Sequence, residues 1–423
     1  MSAVQPVPEV PAALAEPVRR VGPWWVAGIS LANLALWMGY SGPLQMLLPM
    51  QMARVAPDGK ETALALVTGV GAAVAMLFNP VAGALSDRTT GRFGRRHPWT
   101  LAGALAGAAG LALLAGQHTV AGVAVCWCLA QAGLNAMQAS LSAGVPDHVP
   151  VRQRGEVSGW VGIPQALGVV LGVGLVIAVA ATVESGYLMI AALVPLCVLP
   201  FVLTTVDPPL AAAPRFDTRA FLRSFRISPR AHPDFFWAWL TRFLMQLGNA
   251  IATLYLLYFL ADAVGYERIF PGEKAEDGLL VLILIYTVAV VATTVVAGIV
   301  SDRLARRRFL VTVSGLISAL PAVLLAFRPT WPAALAAAAI LGVGFGVFLS
   351  VDNALVTEVL PAADGRARDL GVINIANSGP QVLGPVIAGP IVAGAGGYPA
   401  LYLASAALTL LGAVLVRKIR SVP

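Results

Sequence analysis

Long, nearly uncharged stretches constrain this chain more than any other feature. Twelve of them cover 24–49, 62–85, 98–116, 119–142, 155–180, 185–204, 234–263, 277–300, 309–327, 331–357, 368–393 and 398–416. A helix needs about 20 mainly apolar residues to cross the hydrocarbon core of a bilayer, whereas a barrel strand needs about 10. Each stretch has the length of a spanning helix, so the chain reads as an all-α membrane protein of twelve transmembrane helices. Composition agrees. Charged residues make up 12% of the chain, against about 25% in soluble domains, too few to cover a water-exposed surface.

Orientation follows from where the positive charges fall, because cytoplasmic loops carry the excess of Lys and Arg. With both ends of the chain inside, 22 of the 28 Lys and Arg residues are cytoplasmic and five are not, and Arg242 lies within the seventh span. The net charge of +7 is therefore spread over short loops, and no basic face for nucleic acid is expected. The order becomes a cytoplasmic tail (1–23), a first six-helix half (24–204), a cytoplasmic linker with five arginines (205–233), a second half (234–416) and a short tail (417–423). Residues 1–23 lack the apolar centre of a cleavable signal. Cys126, Cys128 and Cys197 all fall in spans and read as small apolar residues.

The halves repeat each other. Gly83-Ala-Leu-Ser-Asp-Arg88 matches Gly298-Ile-Val-Ser-Asp-Arg303, Pro164-Gln-Ala-Leu-Gly-Val-Val170 matches Pro380-Gln-Val-Leu-Gly-Pro-Val386, and Asp147-His-Val-Pro150 resembles Glu358-Val-Leu-Pro361. The order and the near-constant offset imply a duplicated bundle with two pseudo-symmetric halves and a binding site between them.

Residues 83–99, GALSDRTTGRFGRRHPW, are similar to the loop between the second and third helices of the major facilitator superfamily. With Asn79-Pro80 before the loop, and Leu44-Gln-Met-Leu-Leu-Pro49 and Gln51 in the first span, the pattern resembles the glycoside–pentoside–hexuronide symporters, its sucrose-transporter-type branch above all. The resemblance implies the major facilitator fold, alternating access, and a central cavity lined by helices 1, 4, 7 and 10. It also implies an inner gate. We place there Gly83, Asp87, Arg88, Gly94, Arg95 and Arg96, the repeat-related Asp302 and Arg303, and Asp147 and Glu358, which would pair with the Arg88 and Arg303 groups. Gly83 would let two helices approach, and Gly91 and Gly94 would allow the tight loop. Sodium-coupled members carry two aspartates in the second helix. Here those positions are Ala75 and Asn79, so no sodium requirement is expected.

Polar side chains recur at helical spacing inside the spans. Helix 4 carries Trp127, Gln131, Asn135, Gln138 and Ser142 on one face, helix 7 carries Arg242, Gln246, Asn249 and Thr253, and helix 11 carries Asn374, Asn377 and Gln381. Helix 1 adds Asn33, Trp37, Tyr40 and Gln45, and helix 5 adds Gln165. Amides are expensive in hydrocarbon unless satisfied. They read either as a cavity lining or as glue between helices. A lining of amides and aromatic faces with little charge suits a neutral polyhydroxylated solute. Asp352, well inside helix 10, is the candidate for proton coupling, the alternative being a structural partner of Arg242. His97, His118, His148 and His232 read as solvated.

These features lead to a proton-linked transporter of a sugar or glycoside in the cell membrane, working as a monomer. An exporter of a small metabolite or drug is the alternative, although helix 5 lacks the Gly-Pro-x-x-Gly-Gly element of many exporters. No catalytic constellation, cofactor or metal is called for, and the expected partners are the solute, a proton and the bilayer.

Overall fold

The computed structural model describes residues 17–210, 233–304, 307–358, 366–394 and 396–420, with the side chains of some helical stretches, 298–304, 356–358 and 366–374 among them, outside the description. Twelve helices of 18 residues or more follow one another among the described residues. These are α1 (Pro23–Gly42), α2 (Lys60–Ser86), α3 (His97–Leu114), α4 (Val120–His148), α5 (Val151–Val179), α6 (Val183–Thr204), α7 (Pro233–Leu254), α8 (Ala275–Leu304), α9 (Arg307–Phe327), α10 (Trp331–Glu358), α11 (Arg366–Ala393) and α12 (Gly397–Leu415). Nine are long and apolar enough to cross a membrane by themselves, and α7 becomes a tenth with its bent continuation. The remaining two, α1 and α11, carry the polar residues the sequence places in their spans.

Local chemistry sets the ends. Thr119 caps α4 by accepting from the Gly122 amide, and Thr182 and Ser185 form a reciprocal capping box at α6. Leucines and valines such as Leu77, Val125, Leu196 and Val288 face outward, as a bilayer-facing surface requires. Helices α3 and α4 meet over Gly103, Gly107, Gly110 and Gly133, where a Cβ would strike the facing helix.

The packing obeys the repeat. In the first half α1 packs on α5 and α6, and α4 on α2 and α3. In the second half α7 packs on α11 and α12, and α10 on α8 and α9. Two pairs join the halves, α2 with α11 and α5 with α8. Each pair maps onto the other when the halves are exchanged.

The first and seventh spans depart from the single straight helices that the sequence predicts. α1 runs into a π-helical segment, Pro43–Leu47, and a further helix, Leu48–Val55. α7 breaks after Leu254, bends by 41° and ends in a second π-helical segment, Phe259–Val264. The two segments occupy related places in the repeat, and π-segments widen the helix locally at a cost in hydrogen-bond geometry.

Candidate functional site

In the first half, polar residues of three helices converge. The Tyr40 hydroxyl of α1 donates to Gln138 Oε1 of α4 at 3.2 Å, and Asn79 Nδ2 of α2 lies 3.4 Å from both Gln138 Oε1 and Asn135 Oδ1. Asn135 Nδ2 in turn donates to the Gln131 carbonyl and side chain. Trp37 meets Tyr40 edge-to-face at 5.9 Å. Tyr40, Asn79 and Gln138 are half-buried, so part of each remains accessible. Asn79 stands at the centre, although the sequence reading took it only as a lost cation ligand. Its place just before Pro80 on a helix facing α4 was the available signal.

Other residues of the set are placed differently. Trp127 has 0% exposure and lies against Gly71 of α2, within the helix interface. Asn33 is buried and bonds back to the Ile29 carbonyl. Gln51 ties α3 and α6 to the end of α1 through the Leu114 and Gln117 carbonyls and the Tyr187 hydroxyl, and so serves as structure. Gln165 and Gln381 are exposed, and Gln45 and Gln246 are half-buried. Asn374 lies outside the described side chains, and Asn377 Oδ1 is buried without a hydrogen-bond partner. Asn249 turns into the interior of the second half, toward α9 and α12.

One ion pair is deep in the second half. Asp352 of α10 and Arg242 of α7 are 3.1 Å apart, with side chains 3% and 10% exposed. The coupling candidate therefore has the partner that the alternative reading named.

At the Arg-rich end of the bundle, Gly94 adopts a φ of +79°, a conformation open to glycine at no steric cost. The turn delivers Arg95 and Arg96 beneath the end of α4. Arg96 Nε donates to Asp147 at 2.7 Å, Nη1 to Ser86 at 3.0 Å, and Nη2 to Asp87, while Arg95 reaches Asp147 at 2.8 Å. Asp147 thus pairs with Arg95 and Arg96 of the loop that begins at Arg88, because the loop folds back at Gly94. The close approach expected at Gly83 does not occur. A Cβ there would meet only Ala139, at 3.9 Å. Asp302, Arg303 and Glu358 lie outside the described side chains. The sequence reading missed Asp207, which is buried and accepts from the Arg96 and His97 amides, capping α3. Its position before Pro208 and Pro209, at the start of the linker, was the only hint. His97 is buried beside it and bonds Thr205, and His148 Nε2 is 3.8 Å from its carboxylate. Neither histidine is solvated as expected.

At the Arg-poor end the halves are tied together. Lys60 Nζ reaches both oxygens of Asp262 at 2.9 and 2.8 Å, and Tyr398 donates to Asp262 at 2.7 Å. Tyr258 donates to the Pro49 carbonyl and Tyr255 to the Glu61 carbonyl. Nearby, a Cβ added to Gly389 of α11 would come within 2.5 Å of Ala65 of α2. These ties sit on the π-segments or beside them, and they hold the halves together at this end.

The sequence matches the family model of the Major Facilitator Superfamily over residues 28–284 and 272–423. No curated protein sequence gives a match. Solved structures similar over nearly the whole chain include a mutant of the nucleoside transporter NupG (TM-score 0.76, 14% identity, 93% of this chain and 99% of that one). A bacterial homologue of the human lysosomal transporter Spinster, in an inward-facing and unoccupied conformation, has a TM-score of 0.67 at 15% identity, covering 94% and 95%. The human organic anion transporter MFSD10 gives 0.67 at 16% identity, covering 94% and 100%. Identities this low speak to the fold alone.

Proposed function

The chain belongs to the Major Facilitator Superfamily, and from that premise we propose that this transporter carries a neutral polyhydroxylated solute, a sugar or glycoside, together with a proton and without need of sodium. The observation that carries the substrate reading is the half-buried cluster of Tyr40, Asn79, Asn135 and Gln138, with Trp37 beside it. Amides offer both donors and acceptors. Aromatic faces cover the apolar side of a sugar ring. No formal charge is present in the cluster to favour an ion. Asp352 is the residue to which we assign the coupled proton, with Arg242 as the group that holds it in place.

In this reading the Arg-rich end, with both chain ends, faces the cytoplasm of the cell, and the protein works as a monomer. The closed Arg-poor end is then the outer gate. This reading takes the state as inward-facing, because the ties between the halves lie at the Arg-poor end, and transport then proceeds by rocking of the halves about α2–α11 and α5–α8.

Gln138→Leu tests the substrate. It removes the shared acceptor of Tyr40 and Asn79 and strands a substrate hydroxyl, which costs about 1–3 kcal/mol for a buried polar group. Binding of a panel of sugars to the purified protein is expected to weaken by that amount, with apolar amines unaffected. Tight binding of amines and no response to any sugar would replace this reading with the exporter.

The gate is tested by Asp262→Asn, which removes the negative charge that pairs with Lys60 and one of its two acceptor oxygens. The pair is partly exposed, so the release is about 0.2–1 kcal/mol and shifts populations a few-fold. Spin labels at Asp58 and Gly272, both exposed, are expected to report a larger share of long distances. An unchanged distribution would mean that the ties do not latch this end.

A further inference from the structure

A cavity lies inside the second six-helix half, and no residue of the first half lines it. It is lined by α7 and its continuation, α9, α10 and α12, with Leu282 of α8. Its volume is about 50 Å3, where a single water needs roughly 10–15 Å3. Most of the wall is hydrocarbon, with Met245, Leu256, Pro321, Leu325 and Phe345 contributing.

Three polar residues from three helices complete it. Asn249 Oδ1 of α7, Ser318 Oγ of α9 and Tyr402 Oη of α12 are all buried with no hydrogen-bond partner in the protein. Ser318 is 7% exposed and Tyr402 is 1% exposed. Buried polar groups are normally partnered. Three atoms that break that rule meet in this one cavity. The other hydroxyls on the wall are accounted for. Thr253, Ser405 and Thr409 donate to the carbonyls of Asn249, Gly248 and Ser405.

We infer that this cavity is a second binding site, separate from the one between the halves, for a small neutral molecule with an apolar body and one or two hydroxyl or carbonyl groups. The wall carries no charged side chain, so an ion would be left without compensation. A sugar would turn most of its hydroxyls against hydrocarbon. Water is the other small occupant, but each buried water needs two to four polar partners. Three unpartnered atoms serve one or two waters and leave the remaining space lined by carbon. A compact alcohol or phenol satisfies the polar atoms and fills that space at once. Because every wall residue belongs to one half, rocking of the halves does not part the walls.

The test uses the purified full-length protein and 4-fluorophenol, observed by fluorine NMR, with fluorobenzene as the same body without the hydroxyl. Saturable binding of 4-fluorophenol is expected, with fluorobenzene at least several-fold weaker. The double variant Ser318→Ala, Tyr402→Phe is expected to lose about tenfold for 4-fluorophenol and little for fluorobenzene. Ala322→Leu, which fills the cavity, is expected to abolish both. Because that variant can also fail to fold, crystals of the unaltered protein soaked in 4-bromophenol give a second reading, with anomalous bromine signal expected between α7, α9 and α12. Equal, unsaturable partitioning of the two fluorinated probes, or ordered water alone in the cavity of the soaked crystal, would overturn the site.

Discussion

Asp352→Asn is expected to abolish accumulation of substrate against a gradient. Asparagine keeps the shape of the protonated acid and removes its titration. The ion pair makes the single variant hard to interpret by itself. Asp352 and Arg242 are both nearly buried, and removing one partner of such a pair costs about 3–5 kcal/mol, because the other charge is left uncompensated. Yield and thermal stability of the single variant should fall. The decisive variant is therefore Arg242→Gln with Asp352→Asn, which leaves two neutral groups of nearly the original shape. It is expected to recover most of the lost stability, to exchange labelled substrate across proteoliposomes at equal concentrations, and to fail at concentrating it under a pH gradient. In the proposed mechanism exchange needs only the rocking of the halves, whereas accumulation needs the proton. A stable double variant that still concentrates substrate would reduce the pair to a structural clamp between α7 and α10.

Arg96→Gln is expected to have a comparable effect for a different reason. One guanidinium holds Asp147, Asp87 and Ser86 together, and the Arg96 side chain is 6% exposed. The three acceptors surround a planar fork, a geometry an ammonium cannot reproduce. Arg96→Lys should therefore rescue little. The Asp87 side chain is 54% exposed, so its own pairing is screened by water, and Asp87→Asn should slow transport without lowering the melting temperature much. Asp147→Asn, at a site 18% exposed and paired to two arginines, should lower it clearly. Wild-type melting and transport in Arg96→Gln would remove this cluster from both stability and gating.

Several parts of the site were legible in the sequence because they depend on period and position. The stripe Gln131, Asn135 and Gln138 follows from a spacing of four and three residues, and the structure keeps Asn135 and Gln138 in one cluster. The pairing of Asp87 with an arginine of its own loop follows from their closeness along the chain. Which arginine does not follow. The turn at Gly94 decides that Asp147 meets Arg95 and Arg96, and a turn's direction depends on a single φ that the composition of the loop leaves open. The place of Asn79 in the cluster does not follow from the sequence for a related reason. Its value comes from the α4 side chains opposite, 56 and 59 residues away along the chain. The histidines read as solvated because they sit at helix ends. His97 and His148 are covered by Asp207, whose fold-back onto α3 leaves no periodic trace, while His118 is exposed as expected and His232 lies outside the described residues.

The sequence by itself determined the helical membrane-spanning class, the division into two halves and the superfamily. All three rest on hydrophobic runs and on a duplicated motif, and a bilayer permits few ways to bury a backbone. Only the tertiary structure decided at which end the halves are tied together, that Asp352 is paired with Arg242, that α1 and α7 carry π-segments, and that Asn249 shares a cavity with Ser318 and Tyr402. Those are contacts between helices distant in the chain. Hydrophobic periodicity fixes the face a residue occupies on its own helix, but the neighbour that meets that face is chosen by packing of the whole bundle.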